Sequence, residues 1–186
     1  MMRIRFATVL PLASAFAFLT ACGSEQGRAE PDLEGPAGAV AALGVQNVAV
    51  PLPNLITAAR PSEEQMDALV SMGYDRFISL QLPEEAGAGW EEGRFAGAGG
   101  RFERIPVAGP DDLTRENVER LAAVLEEAGA EETVLYCASS NRVGALLALK
   151  AYWLDGADAD EALTLGRAAG LTGLEPNVRR LLEMDR

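Results

Sequence analysis

The chain has 186 residues, with 16 basic against 28 acidic side chains, a formal charge of −12 and no histidine. An acidic surface of this kind disfavours nucleic acid and anionic lipid as partners. The missing histidine excludes serine–histidine triads, histidine-based zinc sites and papain-type cysteine–histidine pairs.

In chain order, the first element is a leader. Arg3 and Arg5 form a basic start, and Phe6 to Leu19 form a short apolar run broken by Pro11. The run is too short and wrongly flanked for a spanning helix. "LTAC", Leu19 to Cys22, resembles the lipobox of bacterial lipoproteins. That resemblance implies cleavage before Cys22, lipid on Cys22 and anchoring to a membrane, while Gly23 and Ser24 in place of an aspartate imply the periplasmic face of the outer membrane. The alternative is a signal peptide cut before an unmodified cysteine. Loss of residues 1–21 leaves 165 and takes the formal charge from −12 to −14, enough chain for one domain with a core.

Residues 22–44 are rich in Gly, Ala, Pro and Glu without a period, which predicts a flexible tether, with the folded domain over 45–186. "NLITAARP" predicts a short strand closed by Pro61. In "SEEQMDALVSMG", Ser62 is the N-cap, Gln65 stands three residues on, and Gly73 is the stop of a helix. Residues 76–80 predict a strand, 81–100 a long Gly/Ala loop around Trp90, and 102–107 a further strand. Thr114 to Ala128 predict an amphipathic helix ended by Gly129. "TVLY" is a short apolar strand of the kind buried on both faces of a parallel sheet. Helices follow over 143–154, 159–169 and 174–184, the last with Pro176 in its first turn. Alternating strands and helices predict a three-layer α/β domain with a mostly parallel central sheet flanked by helices.

The chemistry concentrates in "CASSNRVGALLAL". With Cys22 assigned to lipid, Cys137 has no intramolecular partner in a compartment that favours disulfides, so it is either buried filling or kept for reaction. It leaves the carboxyl end of a predicted central strand, where open α/β sheets bind ligands. The helix that follows offers free N–H groups and a positive dipole end. With Arg142 in the same loop these features stabilise a thiolate without histidine and hold an anion in front of it. No cofactor is implied.

The same segment resembles the active-site loop of a bacterial phosphatase-like family related to the N-terminal domain of beta-lactamase-hydrolase-like proteins, in the tyrosine/dual-specificity phosphatase superfamily. The resemblance runs from about Val48 to Leu174 and includes "LITAARPSEEQMDALVSMGYDRFISL" and "IPVAGPDDLTRENV". It implies that Cys137 is the nucleophile, Arg142 the oxyanion-binding arginine, and the backbone of Ala138, Ser139, Ser140 and Asn141 the substrate cradle. It also implies that Asp111 or Asp112 is the general acid, although Asp112 or Thr114 equally suits a cap of the next helix. Ser139 and Ser140 either assist turnover through a hydroxyl or only suit the turn.

The chain departs from the family pattern in several places. Tyr136 stands where tyrosine phosphatases usually carry histidine. Ser140 stands where relatives generally have glycine, so a positive φ would be strained there. Ala59-Arg60-Pro61 replaces a glycine-glutamine-proline turn, leaving Arg60 either near the site or on the surface. The loop is Cys-x4-Arg, one residue shorter than the Cys-x5-Arg of phosphatases and the size seen in rhodanese-type sulfurtransferases. Three readings stay open: a cysteine-dependent hydrolase of a small anionic, phosphorylated substrate; a sulfurtransferase working through a Cys137 persulfide; and a catalytically inactive lipoprotein that binds an anion or a partner.

Overall fold

A computed structural model describes residues 35–96 and 100–184. The leader, Cys22 and the first half of the expected tether lie outside the described residues.

Five short strands form one sheet among the described residues: β1 (Ala49–Leu52), β2 (Leu55–Ala59), β3 (Arg76–Ser79), β4 (Arg101–Arg104) and β5 (Thr133–Cys137), in the order β1-β2-β5-β3-β4. β5 lies between β2 and β3 and is parallel to both; β4 is parallel to β3, and only β1 is antiparallel. The expected mostly parallel sheet is therefore present. Every residue of β2, β3 and β5 is buried, which accounts for their continuous apolar character.

The two-residue period of a strand divides β5 between two layers. Val134 and Tyr136 pack with Ile56, Ala58 and Phe77 against α1 (Pro36–Ala42), α2 (Glu63–Ser71) and α3 (Glu91–Phe95). Leu135 and Cys137 pack with Leu55, Ile78 and Leu80 against α4 (Arg115–Ala128), α5 (Asn141–Trp153), α6 (Ala159–Ala168) and α7 (Glu175–Leu181). Each fully buried leucine in these layers contributes about 2 kcal/mol relative to exposure.

Local signals agree with the boundaries. Ser62 and Gln65 make the reciprocal capping box expected of them, and Asp158 with Glu161 makes a second at α6. Thr114 caps α4 by accepting from the Asn117 amide at 3.3 Å. Val143 to Leu149 of α5 are all buried, because α5 lies between the sheet and α6.

Several expectations are corrected. Residues 36–42, read as tether, form α1, and Val40 is completely buried in the core, so the folded unit begins before Val45. β1 carries Pro51 and was not foreseen. Its place at the sheet edge tolerates a missing donor, and Asn54 at φ 57° turns the chain into β2. The strand expected over 102–107 is assigned only over Arg101–Arg104, although Ile105 and Val107 still donate to Ser79 and Leu80 of the neighbouring chain segment. The loop over 81–100 contains α3, and α7 is shorter than the helix expected over 174–184.

Candidate functional site

The parallel register of β2, β5 and β3 brings Ala59 beside Cys137 and Ser79 beside Tyr136, so Cys137 ends the middle strand of the sheet. Ala138 and Ser139 are exposed, Ser140 is buried, and α5 starts at Asn141. The cradle residues are thus a four-residue turn from a strand end into a helix start, as the apolar–polar–apolar pattern implied.

The turn depends on Ser140, which takes the left-handed conformation at φ 68°. This is the strain foreseen at a serine standing where relatives have glycine. A hydrogen bond offsets it: the buried Ser140 hydroxyl donates to the Ala169 carbonyl at 2.8 Å. That bond aims the hydroxyl at the end of α6, which removes the expectation that Ser140 serves a covalent intermediate. Asn141 also braces the turn, its Oδ1 accepting from the Thr172 and Leu174 amides at 2.8 and 3.2 Å. The Ser139 carbonyl accepts from Asn47 Nδ2 at 3.1 Å.

Cys137 is fully buried. Its side chain is seated in the layer formed by α4–α7, because the strand period turns position 137 toward that side. Arg142 has not turned away from it. Its side chain is 11 % exposed, and its pKa lies above the usual value chiefly through the hydrogen bond with Glu85, with attraction to the Cys137 sulfur adding to this against the opposing effect of burial.

The geometry around Arg142 is specific. Nη1 and Nη2 donate to the two carboxylate oxygens of Glu85 at 2.5 and 2.7 Å, and Nη1 also donates to the Val107 carbonyl at 2.6 Å. A guanidinium has five N–H groups. These contacts use both groups of Nη1 and one of Nη2, which leaves Nε and the second Nη2 group, side by side on one edge. That edge is the fork that grips paired oxygens of an oxyanion. Glu85 is itself fixed: it accepts from Leu82 N and Gln81 Nε2, and the Arg142 contact holds its carboxyl at about 2, well below the usual range.

Arg142, Glu85 and Asn141 supply the polar groups of a cleft of about 420 Å³. Its other walls are Leu82, Leu174 and the segment Ala108–Gly109–Pro110. That segment runs into a single 3-10 turn, Pro110–Asp112, which carries the two acid candidates just after the lining residue Pro110. They differ in their surroundings. Asp112 Oδ2 accepts from the Ala108 amide at 2.7 Å and holds the turn together. Asp111 is exposed, and its carboxylate makes no hydrogen bond or ion pair with a described residue. Asp112 thus braces the turn, while the Asp111 carboxyl faces solvent.

Tyr136, in the position usual for histidine, points into the opposite layer and cannot support the sulfur directly. Its hydroxyl donates to Glu91 Oε1 at 3.1 Å, and burial followed by the Glu91 charge pushes its pKa up. Glu91 is completely buried and also accepts from the Gly89 amide at 2.8 Å and from Arg104 Nη2 at 3.0 Å. Arg60 donates to the Ala86 carbonyl, so it fastens the long loop, and it does not line the cleft. Glu85 and Glu91 were not singled out from sequence; both lie in the Gly/Ala loop, where nothing in "PEEAGAGWEEG" distinguishes an inward carboxylate from a solvated one.

No protein-family model matches the chain, and no curated protein matches it. Solved structures do. A candidate phosphatase (DUF442) from Shewanella putrefaciens CN-32 superposes with a TM-score of 0.60 at 20% identity, covering 81% of this chain and 96% of its own. A candidate phosphatase from Neisseria meningitidis Z2491 gives 0.59 at 20% identity, over 74% and 97% of the two chains. A candidate dual specificity phosphatase from mouse, complexed with zinc tungstate, gives 0.52 at 18% identity over 74% and 87%. At these identities the likeness is one of fold: the chain has the three-layer α/β architecture of tyrosine and dual-specificity phosphatases.

Proposed function

We propose that the protein is a cysteine-dependent phosphatase-like hydrolase acting on a phosphoester, of the bacterial family related to the N-terminal domain of beta-lactamase-hydrolase-like proteins. The observation that carries this reading is the fixation of Arg142 by Glu85 and Val107 with its guanidinium held against the Cys137 sulfur. The fold, and the exposed Asp111 next in sequence to Pro110 of the cleft wall, support it.

In this mechanism the Cys137 thiolate attacks phosphorus, an S–P bond forms, and the P–O bond to the leaving group breaks. Protonated Asp111 gives its proton to the departing oxygen. The free edge of Arg142 and the amides of Ala138 to Asn141 hold the equatorial oxygens. Water then attacks the thiophosphate, Asp111 takes the proton it releases, and the S–P bond breaks to return the thiolate and phosphate. The buried sulfur requires the Ala138–Ser140 turn or the Glu85 segment to shift when substrate enters. We further propose that Cys22 carries the lipid that holds the domain at the outer membrane.

A second reading is favoured by specific observations. Four residues between Cys137 and Arg142, with the sulfur buried, suit a compact sulfur species or a bound anion without turnover. Two assays on the purified chain decide. Phosphate release from an aryl phosphate, lost in Cys137→Ser, is the expected outcome. Thiocyanate from thiosulfate and cyanide, without phosphate release, would replace the proposal with sulfur transfer, and silence in both assays would leave a binding domain.

A further inference from the structure

We propose that the site accepts a phosphomonoester carrying a single anionic group on a compact body with no further negative charge. This substrate class rests on the phosphoester reading above. The donors of the cleft set the limit. Arg142 is the one cation among the residues that line it, and three of its N–H groups are committed to Glu85 and Val107. What remains of this cation is one edge, able to grip one pair of oxygens, and the amides of Ala138 to Asn141 serve the same phosphoryl group.

The rest of the cleft offers no second positive charge to a further anionic group. Leu82, Pro110 and Leu174 are apolar, and Asn141, whose Oδ1 accepts from two backbone amides, presents only the neutral Nδ2 amide. Glu85 keeps its negative charge in the same cleft. Arg60, the cation that follows β2, donates to the Ala86 carbonyl and does not line the cleft. A second phosphate or a carboxylate on the substrate would lose water against apolar walls, gain no cation, and share the cleft with the Glu85 carboxylate. The acidic surface of the chain as a whole adds to this rather than offsetting it. A volume of about 420 Å³ leaves room for an aryl or short alkyl body.

The test is phosphate release by the full chain from phenyl phosphate, 4-carboxyphenyl phosphate and 1,4-phenylene bisphosphate at one ionic strength. Calorimetric binding of the same three compounds to Cys137→Ser accompanies it. Each added anionic group should lower kcat/KM by about tenfold, and affinity should fall in parallel. Leu82→Arg should narrow the ratio between phenyl phosphate and the bisphosphate, with Pro110→Arg, at an exposed position, as the second variant should the first not fold. Equal or faster turnover of the doubly anionic esters overturns this inference and leaves the phosphoester reading standing. No phosphate release from any ester, with no binding to Cys137→Ser, overturns both.

Discussion

At the scale of single residues, two neighbouring aspartates differ in surroundings, and the proposed mechanism turns on that difference. Asp112 is bonded to the Ala108 amide, whereas Asp111 is exposed and free. Asp111→Asn should therefore lower kcat on an alkyl phosphate by about 10²–10⁴, the usual worth of a positioned proton donor. Asp112→Asn should instead cost about 1 kcal/mol of stability in urea unfolding. Equal kinetic losses in both variants would contradict the assignment. Glu85 gives a prediction of a different kind. Its carboxyl is at about 2 in the folded chain against an ordinary 4.5, so it contributes stability that is present above the ordinary value and lost as pH falls through about 2. With the side chain 24 % exposed, the contribution is on the order of 2 kcal/mol. Unfolding free energies of the parent chain and Glu85→Gln, measured from about pH 5 to pH 2, should converge at the acid end.

At the scale of elements, the turn that holds Cys137 and Arg142 is supported from behind by the crossing of α5 on α6. A Cβ at Gly144 would lie 2.3 Å from Leu171 N and 2.4 Å from the Gly166 carbonyl oxygen, both backbone atoms. Gly144→Ala should force the helices apart and destabilise the chain by about 2–3 kcal/mol in denaturant unfolding. An unchanged midpoint would show that the helices do not meet so closely. This close approach explains why α5 was easier to foresee than its surroundings. Its apolar run, its start after the polar turn and its stop near Asp155–Gly156 are local features. So are the capping box of α2 and the buried strand ending at Cys137. α1 was not legible, because its helix in "PAGAVAA" is held by burial of Val40, and composition alone matches a linker. The inward turn of Glu85 and Glu91 escaped for the same reason: each is fixed by an arginine distant in sequence, Arg142 or Arg104. Burial of the sulfur followed from strand register, which the motif did not contain.

For the molecule as a whole, acidic charge sets the terms on which an anionic substrate arrives. The formal charge is −12 over the full sequence, and the cleft contributes a single guanidinium. Long-range repulsion should slow capture of a phosphate ester, and salt should screen it. Raising ionic strength from about 10 mM to about 150 mM should increase kcat/KM several-fold while leaving kcat nearly constant. A fall with salt would mean that local attraction to Arg142 outweighs the global field.

The most direct measurement concerns the sulfur itself. The full chain is mixed with an aryl phosphate, quenched in acid within the first turnover, digested and examined by mass spectrometry. The peptide carrying Cys137 should gain the mass of one phosphoryl group, and Arg142→Ala should abolish the gain. Phosphate appearing in solution while that peptide stays unmodified at every time point, or continuing to appear from Cys137→Ser, would contradict a covalent reaction at Cys137.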